Sequence, residues 1–136
     1  GDGVQHAEWN EEDEAATLFQ IWIQPREAGG TPSWGARKFP KDDRSGSWAV
    51  FASGTGEADS LVIKQDAKVL GATLKAGETL TYEVKAGRHG YLVLAAGSAR
   101  LNGEVLNARD GAAVTGAESL TLEGVNDAEI VFVDTV

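Results

Sequence analysis

Tyr91-Leu-Val-Leu-Ala-Ala-Gly-Ser-Ala-Arg-Leu-Asn-Gly-Glu-Val-Leu106 is the stretch whose pattern decides the fold. Ala99–Leu101 and Glu104–Leu106 are short apolar-containing runs separated by Asn102-Gly103 alone. Both residues of that pair tolerate positive φ, so the pair reads as the tight turn of a two-residue hairpin. Tyr91–Ala95 supplies one more short run just upstream. Working outward, Asp110-Gly111 and Lys75-Ala-Gly77-Glu78 are further turns between runs of the same kind. The remaining predicted strands are Trp48–Ser53, Leu61–Lys64, Lys68–Leu74, Thr79–Val84, Ala112–Thr115, Ser119–Glu123 and Glu129–Val133. No segment keeps a 3.6-residue apolar period between caps, so helix should be scarce. Ten short strands at this spacing predict an all-β antiparallel sandwich or barrel over residues 38–136.

The first part of the chain reads differently. Thr17-Leu-Phe-Gln-Ile-Trp-Ile-Gln24 is its strongest predicted strand, with Phe19, Ile21 and Ile23 on one face and Leu18, Gln20, Trp22 and Gln24 on the other. Apolar groups on both faces call for cover on both sides. Pro25, Gly29-Gly30 and Pro32 end the run, and residues 25–37 read as a linker. Residues 1–24 cannot bury themselves. They are expected to pack on the second block, on another copy, or on a preceding part of a longer protein.

Composition narrows the function. The formal charge of −9 is concentrated at the two ends: residues 1–14 hold six acids and no base, and residues 104–136 hold seven acids with Arg109 alone. Such a surface repels phosphate backbones, which argues against direct nucleic-acid binding. The run Glu11-Glu-Asp-Glu14 reads as a solvated loop. No apolar run approaches the roughly 20 residues that span a membrane. With no cysteine there are neither disulfides nor thiolate ligands, which suits a cytoplasmic protein.

The candidate chemistry lies in Gly1-Asp-Gly-Val-Gln-His-Ala-Glu-Trp-Asn10. On an extended strand residues i and i+2 share a face, so His6 and Glu8 would reach the same side. Imidazole and carboxylate together suit Fe, Mn, Ni, Cu or Zn, and an open coordination position permits catalysis. Gly3 would turn the chain before them, and Asn10 would hydrogen-bond the loop after them. The other histidine, His89, lies in the turn Ala86-Gly-Arg-His-Gly90 with no ligand partner at suitable spacing. Tyr82 is expected in the core and Glu83 at the surface. The four tryptophans, at 9, 22, 34 and 48, read either as an interface between the two blocks or as sugar-stacking platforms. Ser45-Gly-Ser47 and Ser53-Gly-Thr-Gly56 lack the Lys of a phosphate loop and read as plain loops.

Gly3, His6 and Asn10 fit the G-x-x-H-x-x-x-N spacing of the second motif of cupin β-barrels. The decapeptide resembles the G-x-G-x-x-H-[SA]-E-x-N segment of pirin and the pirin-like bicupins, some of which have quercetin 2,3-dioxygenase activity. Leu18-Phe-Gln-Ile-Trp-Ile-Gln-Pro25 is similar to the family's following L-x-Q-I-W-[IV]-x-P strand. Gly90-Tyr-Leu92, Leu101-Asn-Gly103, Asp110-Gly111 and Glu129-Ile-Val-Phe-Val-Asp134 resemble its C-terminal cupin.

The resemblance implies a cupin-type jelly roll over residues 38–136, with residues 1–24 as the closing strands of a first cupin. In that family the first barrel holds one metal, usually iron, through three histidines and one glutamate. His6 and Glu8 would be two of these ligands, and an earlier H-x-H segment would supply the rest. Glu8 would also act catalytically, as proton acceptor for a flavonol substrate. The second barrel generally carries no metal, and the position after Asp110-Gly111 reads Ala-Ala-Val.

The chain is therefore expected to be a C-terminal portion, inactive alone, whose partner is the first cupin half. Two alternatives are an active dioxygenase site completed by another chain and an unrelated carbohydrate-binding β-sandwich. The strand Leu18–Ile23 would present an open edge, suited to packing on the second block or to self-association.

Overall fold

A computed structural model describes residues 3–136, and its strands follow the alternating runs closely. They are β1 (Ala49–Ser53), β2 (Leu61–Val62), β3 (Ala67–Leu74), β4 (Thr79–Val84), β5 (His89–Ala96), β6 (Ser98–Leu101), β7 (Glu104–Asn107), β8 (Gly111–Thr115), β9 (Glu118–Gly124) and β10 (Ala128–Thr135). The helical pieces among the described residues are two single 3-10 turns, Asp42–Arg44 and Glu57–Asp59. One sheet runs β2-β1-β3-β10-β5-β8 and the other β4-β9-β6-β7. Strand pairing is antiparallel throughout, except between β1 and β2.

The two inner faces meet in a single apolar core. β10 lies in the middle of the larger sheet and alternates strictly: Ala128, Ile130, Phe132 and Asp134 point inward. Leu70, Leu74, Leu92 and Leu94 flank it on β3 and β5, and Leu120 and Leu122 of β9 face it from the smaller sheet. Period-2 alternation of this kind buries one face of each strand and leaves the other outside.

The hairpin that anchored the sequence reading forms between β6 and β7. Asn102 takes φ 49° and Gly103 φ 94°, as the primed turn requires. Asn102 also stitches the turn to β9. Its side-chain oxygen accepts from the Thr121 N–H at 2.7 Å, and its amide donates to the Ser119 carbonyl at 3.1 Å. Where the chain passes from β5 in one sheet to β6 in the other, Gly97 turns the corner at φ 70°. A Cβ there would stand 2.0 Å from the Asp127 carbonyl oxygen. Gly97→Ala is expected to lower the unfolding free energy by roughly 2 kcal/mol in urea titration, since both the left-handed backbone and the space forbid it. A change below about 0.5 kcal/mol, the scale of an ordinary surface substitution, would contradict this account of the corner.

The N-terminal region departs from expectation. Gly1 and Asp2 lie outside the described residues, and among the rest no strand precedes Ala49. Thr17–Gln24 was read as a strand, yet no other strand offers it an edge, and without a ladder an extended segment is not a β-strand. It crosses the outer face of the larger sheet instead, where Phe19 and Trp22 share a crevice with Tyr91, Val93, Val131 and Val133. The Arg26 N–H donates to the Lys64 carbonyl at 2.9 Å, and the Gln65 amide donates to the Gln24 carbonyl at 2.9 Å. Lys64 reaches the Thr31 carbonyl and Arg37 the Asp59 carbonyl. Phe39 then packs on Phe51, with ring centroids 4.7 Å apart.

The tryptophans do not form the expected interface. Trp9, Trp22 and Trp34 are 73%, 86% and 91% exposed, and Trp48 alone joins the core.

Candidate metal centre

His6 and Glu8 belong to a segment without a ladder, yet their side chains fall on one side. His6 Nε2 stands 3.7 Å from Glu8 Oε1, and both side chains are 59% exposed. They edge a shallow groove completed by Phe19, Gln20, Trp22 and Gln24. The flanking residues act locally as their types suggest. Gly3 holds φ 101°, a left-handed value. Asn10 closes the acidic loop: its amide donates to the Glu14 carbonyl at 2.6 Å, and its side-chain oxygen accepts from the Glu12 N–H at 3.1 Å. Trp9 donates to Glu11 at 2.7 Å.

The pair offers one imidazole nitrogen and one carboxylate, a donor set that suits first-row divalent metals. Among the described residues no group of three or more His, Cys, Asp or Glu is placed to hold a metal. The geometry therefore brings one imidazole and one carboxylate together on an open rim. His89 opens β5 opposite Thr115 and is exposed.

Inside the barrel, the position after Asp110-Gly111 is hydrocarbon. Val114 is buried, and a Cβ placed on Gly90 would stand 2.7 Å from the Phe132 ring and 3.3 Å from the Val114 Cβ. Phe132 in turn packs edge-on against Tyr82 at 4.9 Å and beside Trp48 at 5.9 Å. The space between Gly90 and Val114 is filled by a ring.

One end of the barrel interior is polar, and sequence reasoning missed it. Tyr82 donates its hydroxyl proton to Asp134 Oδ2 at 2.6 Å, and Arg88 donates Nε–H to Asp134 Oδ1 at 2.5 Å. Arg88 continues to Asp66 Oδ1 at 3.0 Å, and Lys68, across the ladder from Asp134, pairs with Glu57 at 2.7 Å. Burial pushes the Tyr82 phenol well above its ordinary value, and the hydrogen bond to Asp134 adds to the shift. For Arg88, burial works against the charge, but the bonds to Asp134 and Asp66 outweigh it and raise the pKa. A signal was available: Asp134 occupies the inward phase set by Ala128, Ile130 and Phe132, and an ionised residue in that phase needs a buried partner.

Ser53 and Ser60 are likewise buried and share a hydrogen bond at 2.9 Å, which fixes the glycine-rich loop between β1 and β2. On the outer face, Glu129 is held by Arg44 at 2.7 Å and Lys41 at 2.6 Å. Burial alone would raise its pKa; the two cations lower it. No helix among the described residues is long and apolar enough to cross a membrane.

Comparison with known proteins matches residues 50–135 to the quercetinase C-terminal cupin domain. A pirin-like protein of Caulobacter vibrioides is 54% identical over 135 residues, covering 98% of this chain and 58% of the relative. A Zymomonas mobilis protein, provisionally named a quercetin 2,3-dioxygenase, is 43% identical over 136 residues, covering 99% of this chain and again 58% of the relative. The crystal structure of the Escherichia coli pirin YhhW in complex with nickel(II) superposes with a TM-score of 0.77 at 24% identity, over 84% of this chain and 48% of that one. The barrel is thus of the cupin type, and the chain spans about 58% of the length of these curated relatives.

Proposed function

This chain belongs to the pirin-like family that carries the quercetinase C-terminal cupin domain, and from that premise we propose that it serves as the metal-free barrel of a two-barrel, metal-dependent dioxygenase. His6 and Glu8 would be its share of the metal site. The observation that carries this reading is the pair itself: two ligands of suitable chemistry 3.7 Å apart, facing an open groove. Two donors hold a divalent cation weakly, so further ligands are needed, and a first cupin barrel is their proposed source. That barrel is the proposed partner.

Iron is the metal proposed, and the nickel(II) complex of a protein with this fold fits a site open to first-row metals. When bound, the metal would supply the Lewis-acidic, redox-active centre for opening a flavonol with O2.

The chain's own residues would then have three tasks. His6 gives a neutral imidazole nitrogen. Glu8 gives a carboxylate oxygen and accepts the proton of the substrate hydroxyl. Phe19 and Trp22 give the groove its apolar wall. Membership in the cupin family takes the place of the unrelated sugar-binding sandwich.

The test is calorimetric titration of Fe(II) and Ni(II) without oxygen, together with quercetin turnover. The chain alone is expected to show no tight stoichiometric metal and no turnover. Supplying the part of the Caulobacter relative that lies outside the matched region should restore one metal per assembly. His6→Ala should then weaken that site by more than about 100-fold, beyond what loss of an outer-shell partner costs. Tight metal on the isolated chain, or a restored site indifferent to His6→Ala, would overturn the proposal.

A further inference from the structure

Asn102 and Gly103 make the turn between β6 and β7, and they place a reactive pair in it. Of the four asparagines, at 10, 102, 107 and 126, Asn102 alone precedes a glycine. A glycine nitrogen has no side chain beside it and can reach back to the preceding carboxamide. Ala108 and Asp127 obstruct that approach after Asn107 and Asn126. Ring closure onto the main chain is therefore easiest at Asn102.

The fold holds the carboxamide away from that nitrogen. Leu101 pairs with Leu122, and one residue on, the Asn102 N–H still donates to the Thr121 carbonyl at 2.9 Å. The left-handed backbone of the turn then takes the Asn102 carbonyl out of the ladder. Its side-chain oxygen stands in, accepting from the Thr121 N–H at 2.7 Å. The side-chain NH2 donates to the Ser119 carbonyl at 3.1 Å and to Glu118 Oε1 at 3.2 Å. All three partners lie on β9, which borders β6 on the side opposite β7. The Gly103 nitrogen leads toward β7, so closure requires the amide to leave β9 first.

We propose that Asn102 is a site of spontaneous, one-way deamidation, held unreactive by β9 and released when the β6–β7 hairpin opens. In the open state the Gly103 nitrogen gives its proton to water and attacks Asn102 Cγ. The Cγ–N bond breaks and ammonia leaves, closing a succinimide. Water then opens the ring at either carbonyl. The net change is one water consumed and one ammonia released, with no oxidation or reduction. The product is an aspartate or, with one more main-chain carbon, an isoaspartate. The inference is independent of the metal reading.

Neither product fits the place the amide leaves. A carboxylate keeps the bond from the Thr121 N–H but has no proton for the Ser119 carbonyl, and it would face Glu118 at like charge. The isoaspartate lengthens a two-residue turn whose twist matches its strands only at that length. A converted hairpin therefore opens more readily than the one it came from, and converted chains accumulate as a record of past opening.

Peptide mass spectrometry of the chain incubated at neutral pH, folded and in unfolding urea, tests the site. In urea, conversion at Asn102 should outrun that at Asn107 and Asn126, and Gly103→Ala should suppress it severalfold. In the folded chain conversion should be at least about tenfold slower than in urea, because it waits on a rarely populated open state. Below the unfolding transition its rate should rise with urea in step with hydrogen exchange of the Thr121 N–H, which reports the same opening. Asn102→Asp should unfold at a lower urea midpoint than the wild type, with an unchanged circular dichroism spectrum. Folded conversion less than about tenfold slower than unfolded, faster conversion at Asn107 or Asn126 in urea, or an Asn102→Asp variant as stable as the wild type would overturn the proposal.

Discussion

Phe132→Ala is expected to lower the unfolding free energy by about 3–5 kcal/mol, the range for truncating a fully buried aromatic side chain. Phe132 is fully buried on a central strand of the larger sheet, so the lost volume opens in the core between the two sheets. Its neighbours have little freedom to collapse into the gap. Tyr82 is held by its bond to Asp134, Trp48 by its bond to the Thr81 carbonyl, and Gly90 is fixed in the β5 ladder. Urea titration should show a lower midpoint at an unchanged slope.

A coupling measurement sharpens the expectation. Gly90→Ala alone should destabilise, since its Cβ would stand 2.7 Å from the Phe132 ring. In the Phe132→Ala background that methyl enters the vacated space, so the two changes should be non-additive by at least about 1 kcal/mol. Additive losses, or a Phe132→Ala loss below about 1 kcal/mol, would mean that the ring does not fill the barrel as described.

The barrel was legible in the sequence because each of its strands satisfies itself locally. Alternation selects the buried face, and Asn102-Gly103, Asp110-Gly111 and the turn at Gly77 mark where runs end. All ten predicted strands of the second block are found, displaced by no more than two residues at either end. The same logic failed at Thr17–Gln24, because alternation shows what a segment can bury and not which strand will pair with it. The tryptophans misled for a related reason: clustering along the chain is not clustering in space, and only Trp48 lies on the barrel itself.

Of the candidate site, the composition and same-side placement of His6 and Glu8 were readable from i, i+2 spacing, as were the turn at Gly3 and the loop closed by Asn10. Asp134, Arg88 and Asp66 were not, since the ion pairs join residues 22 and 46 positions apart. Only the fold brings them together. What sequence did offer was an aspartate in an apolar phase, one residue past the predicted end of its strand.

Asp134→Ala should be about as costly as the loss of the ring, at roughly 3–5 kcal/mol, although it removes only a small side chain. Asp134 is 5% and Arg88 15% exposed at the side chain, so deleting the carboxylate leaves a guanidinium with one hydrogen-bond partner lost and little water to replace it. Tyr82 loses its acceptor in the same step. Asp134→Asn keeps an acceptor for one donor and should cost less. Asp134→Leu combined with Arg88→Met removes both charges and should recover much of the loss, because the penalty belongs to a guanidinium left without its buried partner and not to the missing bond.

The phenol gives this site a pH signature. Burial first, and then the bond to Asp134, holds the Tyr82 pKa above that of an unfolded tyrosine, 10.0. A raised folded value means that the native state keeps a proton which the unfolded chain releases. The associated stability is fully present below pH 10 and is lost as pH rises through the folded value. Urea midpoints measured between pH 8 and about 11.5 should fall for the wild type relative to Tyr82→Phe. In Asp134→Asn the fall should end at a lower pH and be smaller in total, since burial persists while the charge contribution is gone. Parallel profiles for wild type and Tyr82→Phe would place the phenol outside the barrel's polar end, and with it the reason for an aspartate at the inward phase of β10.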